Sequence, residues 1–257
     1  MSTAGNAVRA EWTKLRTTPG PAWLLLVTAV VTVALSAAVM AAATCPRTGC
    51  GIDAARLVLS GTYLGQAPIA VLAVLTVGGE YSTTLIRTTV TAIPGRPTVL
   101  AAKALVLSLP VAVVGGLAVL ACQLVAGIVL PRHGFTPGNG YPHLPPTLRA
   151  GAGSVAYLVL IAILSLGAAA LVRDSAAAIG AVLGLLYLPP LLTQMVANPH
   201  LQRLLEQVAP MNAGLAVQAT TDLRHLPIGP WAGLGVLAAW AAGTLLAGTF
   251  LFRLRDT

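Results

Sequence analysis

The sequence predicts an all-α, polytopic membrane protein with six transmembrane helices, and three observations carry that expectation. The 257 residues are 56% hydrophobic and only 9% charged, with a mean hydropathy of +0.84, which leaves too little charge to cover a soluble globule of this size. Six apolar runs free of Asp, Glu, Lys and Arg lie at about 21–43, 57–78, 104–130, 151–172, 176–196 and 231–252, each near the roughly 20 residues a helix needs to cross hydrocarbon. The connections between them are short, so residues 1–257 read as a single transmembrane domain.

Before the first run, Val8, Trp12 and Leu15 recur at i, i+4 and i+7, with Arg9, Thr13 and Arg16 repeating the spacing on the other side. This predicts a short interfacial helix with its Trp and bases at the headgroup level, broken at Pro19-Gly20. The run that follows is too long for the apolar core of a signal peptide, and Glu11 sits among the bases ahead of it, so the N-terminus is expected to be retained. Cys45, preceded by Thr44, makes a poor lipoprotein signal. Cys45 and Cys50 share the first loop, where an oxidising exterior would allow a disulfide across C-x-x-x-x-C, while Cys122 falls inside the third run.

Within the runs, Pro68, Pro110, Pro189 and Pro190 are placed to kink their helices, and Gly61-x-x-x-Gly65 and Gly180-x-x-x-Gly184 to admit close helix packing. The isolated polar residues Gln66, Gln123, Thr193 and Gln194 are expected to bridge helices rather than line a path. In the fifth loop, Asn198-Pro199 supplies a helix cap and first turn, and Leu201, Leu204, Leu205 and Val208 form one apolar stripe that Pro210 ends. A second cap at Asn212 starts a further apolar run through Val217. The pair predicts a helical hairpin lying on, or dipping into, the outer leaflet, where irregular backbone needs a cover of protein or water.

An even number of spans puts both termini on one side. That side carries Arg9, Lys14, Arg16, Arg87, Arg96, Lys103, Arg173, Arg253 and Arg255, against Arg47, Arg56, Arg132, Arg149, Arg203 and Arg224 on the other, whose loops are longer in total. The positive-inside rule therefore places both termini in the cytoplasm of a cell membrane. The net charge of +8 is scattered over separate loops rather than gathered on one face, which argues for anchoring to anionic membrane lipid and against nucleic acid.

Several functions are disfavoured by what the runs lack. With no Asp, Glu, Lys, Arg or His inside them, a proton- or ion-coupled relay has nothing to run on. Neither lysine, Lys14 or Lys103, stands in a P-loop, so ATP hydrolysis is not expected here. His133, His143, His200 and His225 lie in loops at spacings that match no metal motif, and no nucleophile motif occurs, so the chain is not expected to be an enzyme or to hold a metal.

The segment 79–103 is the most informative. A turn between spans needs a handful of residues, and this insert is several times longer and helix-patterned: Ile86, Val90 and Ile93 follow i, i+4, i+7 beside Leu85, amid Thr residues and Arg87, until Pro94-Gly95. Glu80 and Tyr81 stand where the second span ends and Lys103 where the third begins, so Glu80 is placed to pair with Lys103 or Arg87. Such a surface suits a cytoplasmic partner.

Glu80-Tyr81, Ile86-Arg87-Thr88-Thr89, Ala92-Ile93-Pro94 and Leu100-Ala101-Ala102-Lys103-Ala104, together with Ala10-Glu11-Trp12-Thr13-Lys14-Leu15-Arg16, resemble the permease subunits of type-2 ATP-binding-cassette (ABC) exporters, in their compact six-span actinobacterial form. The resemblance implies an elbow helix bearing Val8, Trp12 and Leu15 and a coupling helix bearing Leu85, Ile86, Arg87, Thr89, Val90 and Ile93 that docks on a separate P-loop ATPase. It also implies short outer helices before the sixth span. ATP and Mg would be held by the ATPase, with no cofactor in this chain, and the permease would pair with a second copy or a paralogue. The apolar spans suit a hydrophobic or amphiphilic cargo. The competing reading is a non-transporting membrane scaffold or sensor that holds a cytoplasmic partner through the same loop.

Overall fold

The computed structural model describes residues 3–45, 51–82, 96–135 and 144–254, with the backbone alone for 3–4, 6–7, 79–82, 96–99, 144 and 252–254. It is all-helical, and no strand occurs among the described residues. In chain order the helices are α1 (Thr3–Thr17), α2 (Pro19–Ala42), α3 (Ala54–Val58), α4 (Thr62–Ser82), α5 (Arg96–Arg132), α6 (Leu144–Val172), α7 (Ser175–Met195), α8 (Pro199–Val208), α9 (Pro210–Leu215) continuing into a 3-10 turn at Ala216–Gln218, and α10 (Pro230–Leu254). Five of them, α2, α5, α6, α7 and α10, are long and apolar enough to cross a membrane. In α4 the fully described apolar stretch, Thr62–Gly78, is shorter than a usual span.

The expected boundaries need correction at three places. The second apolar run breaks into α3, a turn at 59–61 and α4: Asp53 starts α3 by accepting from the Ala55 amide at 3.1 Å, and at the break the Leu59 carbonyl accepts from Thr62 Oγ1 at 2.7 Å and Gln218 Nε2 at 3.3 Å. The third helix starts at Arg96 rather than near Ala104, with Pro97 tolerated in its first turn, and so takes Lys103 inside. The fourth starts at Leu144, again with prolines in the first turn, and takes in Arg149, which donates to the Ala219 carbonyl. Charge therefore does enter the helix bodies, in both cases met by an oxygen.

The long helices alternate in direction. α6 is the hub, packed against α4, α5, α7 and α10, and its Tyr157, Leu158, Ile161, Leu164 and Leu166 are fully buried. α4 lies against α2 through Gly61 and Gly65: a Cβ on Gly61 would stand 1.8 Å from the Thr32 carbonyl oxygen, and one on Gly65 2.0 Å from Thr32 Oγ1. The second motif behaves otherwise, since nothing lies within 4 Å of a Cβ on Gly180 and only Leu188 of its own helix near Gly184. Spacing marked both pairs, and only one meets a neighbouring helix within this chain. The helices run on through Pro68, Pro110, Pro189 and Pro190. Between α6 and α7 the reversal takes two residues: Arg173 adopts φ 60° and Asp174 Oδ1 accepts from the Ala177 amide at 2.7 Å.

The connection from α7 to α10 forms the hairpin expected of it. Asn198 caps α8 by accepting from the His200 amide, and Leu201, Leu204 and Val208 remain exposed as a stripe. The second helix opens at Pro210 with Ala209 as its cap, not at Asn212, because proline suits a first helical turn. Residues Met211 and Ala213–Ala219 are buried against α6 and α10, so protein covers the irregular backbone. Gln218 fastens it, donating from Nε2 to Thr62 Oγ1 at 2.7 Å and Ser154 Oγ at 3.0 Å. Gln66 donates to the Tyr63 carbonyl and receives the Tyr157 hydroxyl, joining α4 to α6. By contrast, Thr193 bonds within its own helix, to the Pro190 carbonyl.

Asp53 ties the start of α3 to the end of that hairpin, accepting from the Thr220 amide and hydroxyl, both at 2.6 Å, and from the Thr221 amide at 3.0 Å. Burial pushes its carboxyl up, but the hydrogen bonds from Thr220, Thr221 and Ala55 outweigh it and hold the group below the usual value. A depressed folded-state pKa means stability present above the unfolded value, about 3.9, and lost as pH falls through the lower folded one. The thermal midpoint of the wild type should thus exceed that of Asp53→Asn at neutral pH, and the gap should close as pH drops below about 4. A pH-independent gap would show that the charge is not what matters.

Candidate functional site

The end of the bundle that holds Lys14, Lys103 and Arg173 also flanks the segment singled out by its sequence. Of that segment, Leu85, Ile86, Arg87, Thr89, Val90 and Ile93 lie outside the described residues, as do the side chains of Glu80 and Tyr81. Its two stems, α4 and α5, are described, and so is what grips them.

The grip is α1. Leu15 packs against the main core beside Leu24 and Leu25 of α2, Val8 is half-buried, and Trp12 remains 36% exposed. On the same face lies Glu11, only 9% exposed, with Oε2 receiving a hydrogen bond from Lys103 Nζ at 2.7 Å. Lys103 is 6% exposed and also reaches the Thr76 carbonyl of α4 at 3.5 Å. Lys14, four-fifths of a turn further along α1, adds a second cation 3.5 Å from Glu11 Oε1. One carboxylate thus joins the N-terminal helix to both stems of the loop. Burial strengthens such a pair and raises the cost of breaking it, since neither charge can recover water.

Beside this pair lies an open cavity of about 470 Å³ between α1, α2, α4 and α5, with Leu24, Leu72, Val106 and Leu107 as its apolar wall. α1 ends where Thr18 turns to extended backbone, its hydroxyl donating to the Lys14 carbonyl at 2.9 Å, and α2 begins at Pro19. The break therefore falls one residue before Pro19-Gly20.

Of the residues singled out in sequence, Leu15 and Lys103 are brought to one place. Glu11 was legible there only as an acid among bases. Its position three residues after Val8 and four before Leu15 puts a carboxylate on the apolar stripe, a signal that asks for a buried cation. Nothing local says that the cation is 92 residues away. At the opposite end, Cys45 is disulfide-bonded and Cys122 is a free, buried thiol; Cys50, the expected partner of Cys45, lies outside the described residues. Among the described residues no three His, Cys, Asp or Glu side chains gather as a metal site.

No family model matches the chain, and no curated protein matches it.

Proposed function

We propose that the chain is the membrane-spanning permease subunit of an ABC transporter, exporting a hydrophobic or amphiphilic compound and driven by a separate P-loop ATPase that docks on 79–103. In this reading α4 is the second of six spans, since its 21 residues reach about 31 Å at 1.5 Å per residue. Both termini are then cytoplasmic, α1 is the elbow helix, and the permease works as a dimer with itself or a paralogue.

The observation that carries the reading is the Glu11–Lys103 pair, reinforced by Thr76. A partner that pushes on the loop between α4 and α5 moves a base that is locked to α1, so the displacement passes into the bundle instead of being absorbed by a slack loop. A scaffold that only holds a partner has less need of that stiffness. Apolar spans with their charges confined to the ends suit a cargo that is itself largely apolar.

Copurification of a coexpressed P-loop ATPase tests the docking face. Ile86→Asp and Val90→Asp put an unpaired carboxylate into a buried contact, which costs several kcal/mol and should abolish retention. Thr88→Asp, about 160° from Val90 around a helix, should retain the partner. Membrane insertion should survive all three. Equal retention by the three variants would remove the docking face, and ATP hydrolysis by the chain alone would remove the division of labour.

A further inference from the structure

At the Asp53 end a second cavity, of about 400 Å³, opens between α3, α4, α7 and the hairpin. Its walls are built. Tyr187 donates its hydroxyl to the Tyr63 carbonyl at 2.7 Å and closes α7 against α4, while Gln207 Nε2 donates to the Pro227 carbonyl at 2.8 Å and fastens α8 to the segment ahead of α10. Arg56 and Glu206 both line it. They are the two charges of its lining, opposite in sign, and no salt bridge joins them to each other or to any other described residue. Ser60 lines it too, and its hydroxyl oxygen is buried without a hydrogen-bond partner among the described residues.

Two opposite charges that share a cavity wall and do not meet leave room for a ligand carrying both signs. A purely anionic group would satisfy Arg56 and be repelled by Glu206; a purely cationic one would do the reverse. The remaining lining mixes polar Thr193, Gln194 and Asn212 with apolar Leu215, Leu226 and Ile228, which suits a polar head with a chain attached.

We propose that this cavity binds a zwitterionic headgroup, an anionic phosphate or carboxylate against Arg56 and an ammonium against Glu206. The headgroup belongs either to a bilayer lipid or to a free zwitterion, and the chemistry at the two charges is the same. The inference does not depend on the transport reading, because the binding is measured on the chain alone with no ATPase present.

The test is microscale thermophoresis of the purified full chain in a neutral detergent with lysophosphatidylethanolamine, lysophosphatidylglycerol and free O-phosphoethanolamine. The zwitterionic lysolipid should bind at least tenfold more tightly than the anionic one. Arg56→Gln should weaken it at least tenfold, and Glu206→Gln should erase the preference by admitting the anionic lysolipid. If free phosphoethanolamine matches the lysolipid, the source is a soluble zwitterion; if only the lysolipid binds, it is membrane lipid. Equal binding of the two lysolipids by the wild type overturns the proposal, and so does a preference that survives both charge variants. Should Glu206→Gln fail to fold, Arg56→Gln and the wild-type ratio still decide.

Discussion

Glu11→Ala should destabilise the protein by about 3–5 kcal/mol, the usual result of removing one partner from a buried ion pair. The residue it exposes to this cost is Lys103, which is 6% exposed and has its carboxylate at 2.7 Å. Lys103→Ala should cost less, because Glu11 keeps a second cation, Lys14, at 3.5 Å. The inequality is specific to a carboxylate shared by two cations. A Glu11→Leu, Lys103→Met double variant should recover most of the loss, since well-packed apolar residues replace a buried pair at little net cost. Denaturation midpoints in detergent for the wild type, Glu11→Leu, Lys103→Met and their double variant close a cycle that gives the coupling energy directly. Additive losses would show that the two side chains do not interact. Trypsin adds a local readout: cleavage near Arg9, Lys14 and Arg16 should accelerate in both single variants if α1 comes away from the bundle, and stay slow in the double variant. If the permease reading holds, the same single variants should uncouple ATP hydrolysis from transport while leaving ATPase copurification intact.

Gly61→Ala should cost about 3 kcal/mol, at the upper end for one added methyl group, because the atom it meets is backbone. Its Cβ would lie 1.8 Å from the Thr32 carbonyl oxygen and 2.7 Å from Ser36 Oγ, which accepts the Gly61 amide at 2.9 Å. A carbonyl in mid-helix cannot rotate away, so α2 and α4 must separate along their contact. Gly65→Ala should cost less, since its obstacle at 2.0 Å is the Thr32 hydroxyl, a side-chain oxygen that rotation can move. Gly180→Ala, with nothing within 4 Å, should be neutral or should stabilise by about 0.5–1 kcal/mol through reduced backbone entropy in the unfolded chain. Midpoints in that order, measured in one detergent, check the series. Equal effects at Gly61 and Gly180 would mean that the tight crossing of α2 and α4 does not exist in the folded protein.

The apolar runs, the capped hairpin at Asn198 and the N-terminal helix were all legible in the sequence, because each depends on contacts within a few residues or on the solvent that a stretch prefers. Composition points to a membrane, and apolar runs of about 20 residues, twice the length of a barrel strand, select helices over a closed barrel there. The break that separates α3 from α4 was not legible, because the Leu59 carbonyl at the break is met by Gln218, a residue 159 positions further on. The early starts of α5 and α6 were hidden for a similar reason. Lys103 and Arg149 look like loop residues until Glu11 and the Ala219 carbonyl are placed beside them.

By itself the sequence determined that this is a multi-helix, all-α membrane protein with an unusual polar insert between two apolar stretches. Tertiary structure decided which residues act together. Two small-residue motifs have the same spacing, but only Gly61 and Gly65 meet a partner helix within the chain, since a motif states how close a helix can be approached and not what approaches it. The Glu11–Lys103 pair, the hub at α6 and the cavity holding Arg56 and Glu206 all join residues far apart in the chain. Such contacts follow from how the helices stack, and charge or periodicity within one segment carries no record of that.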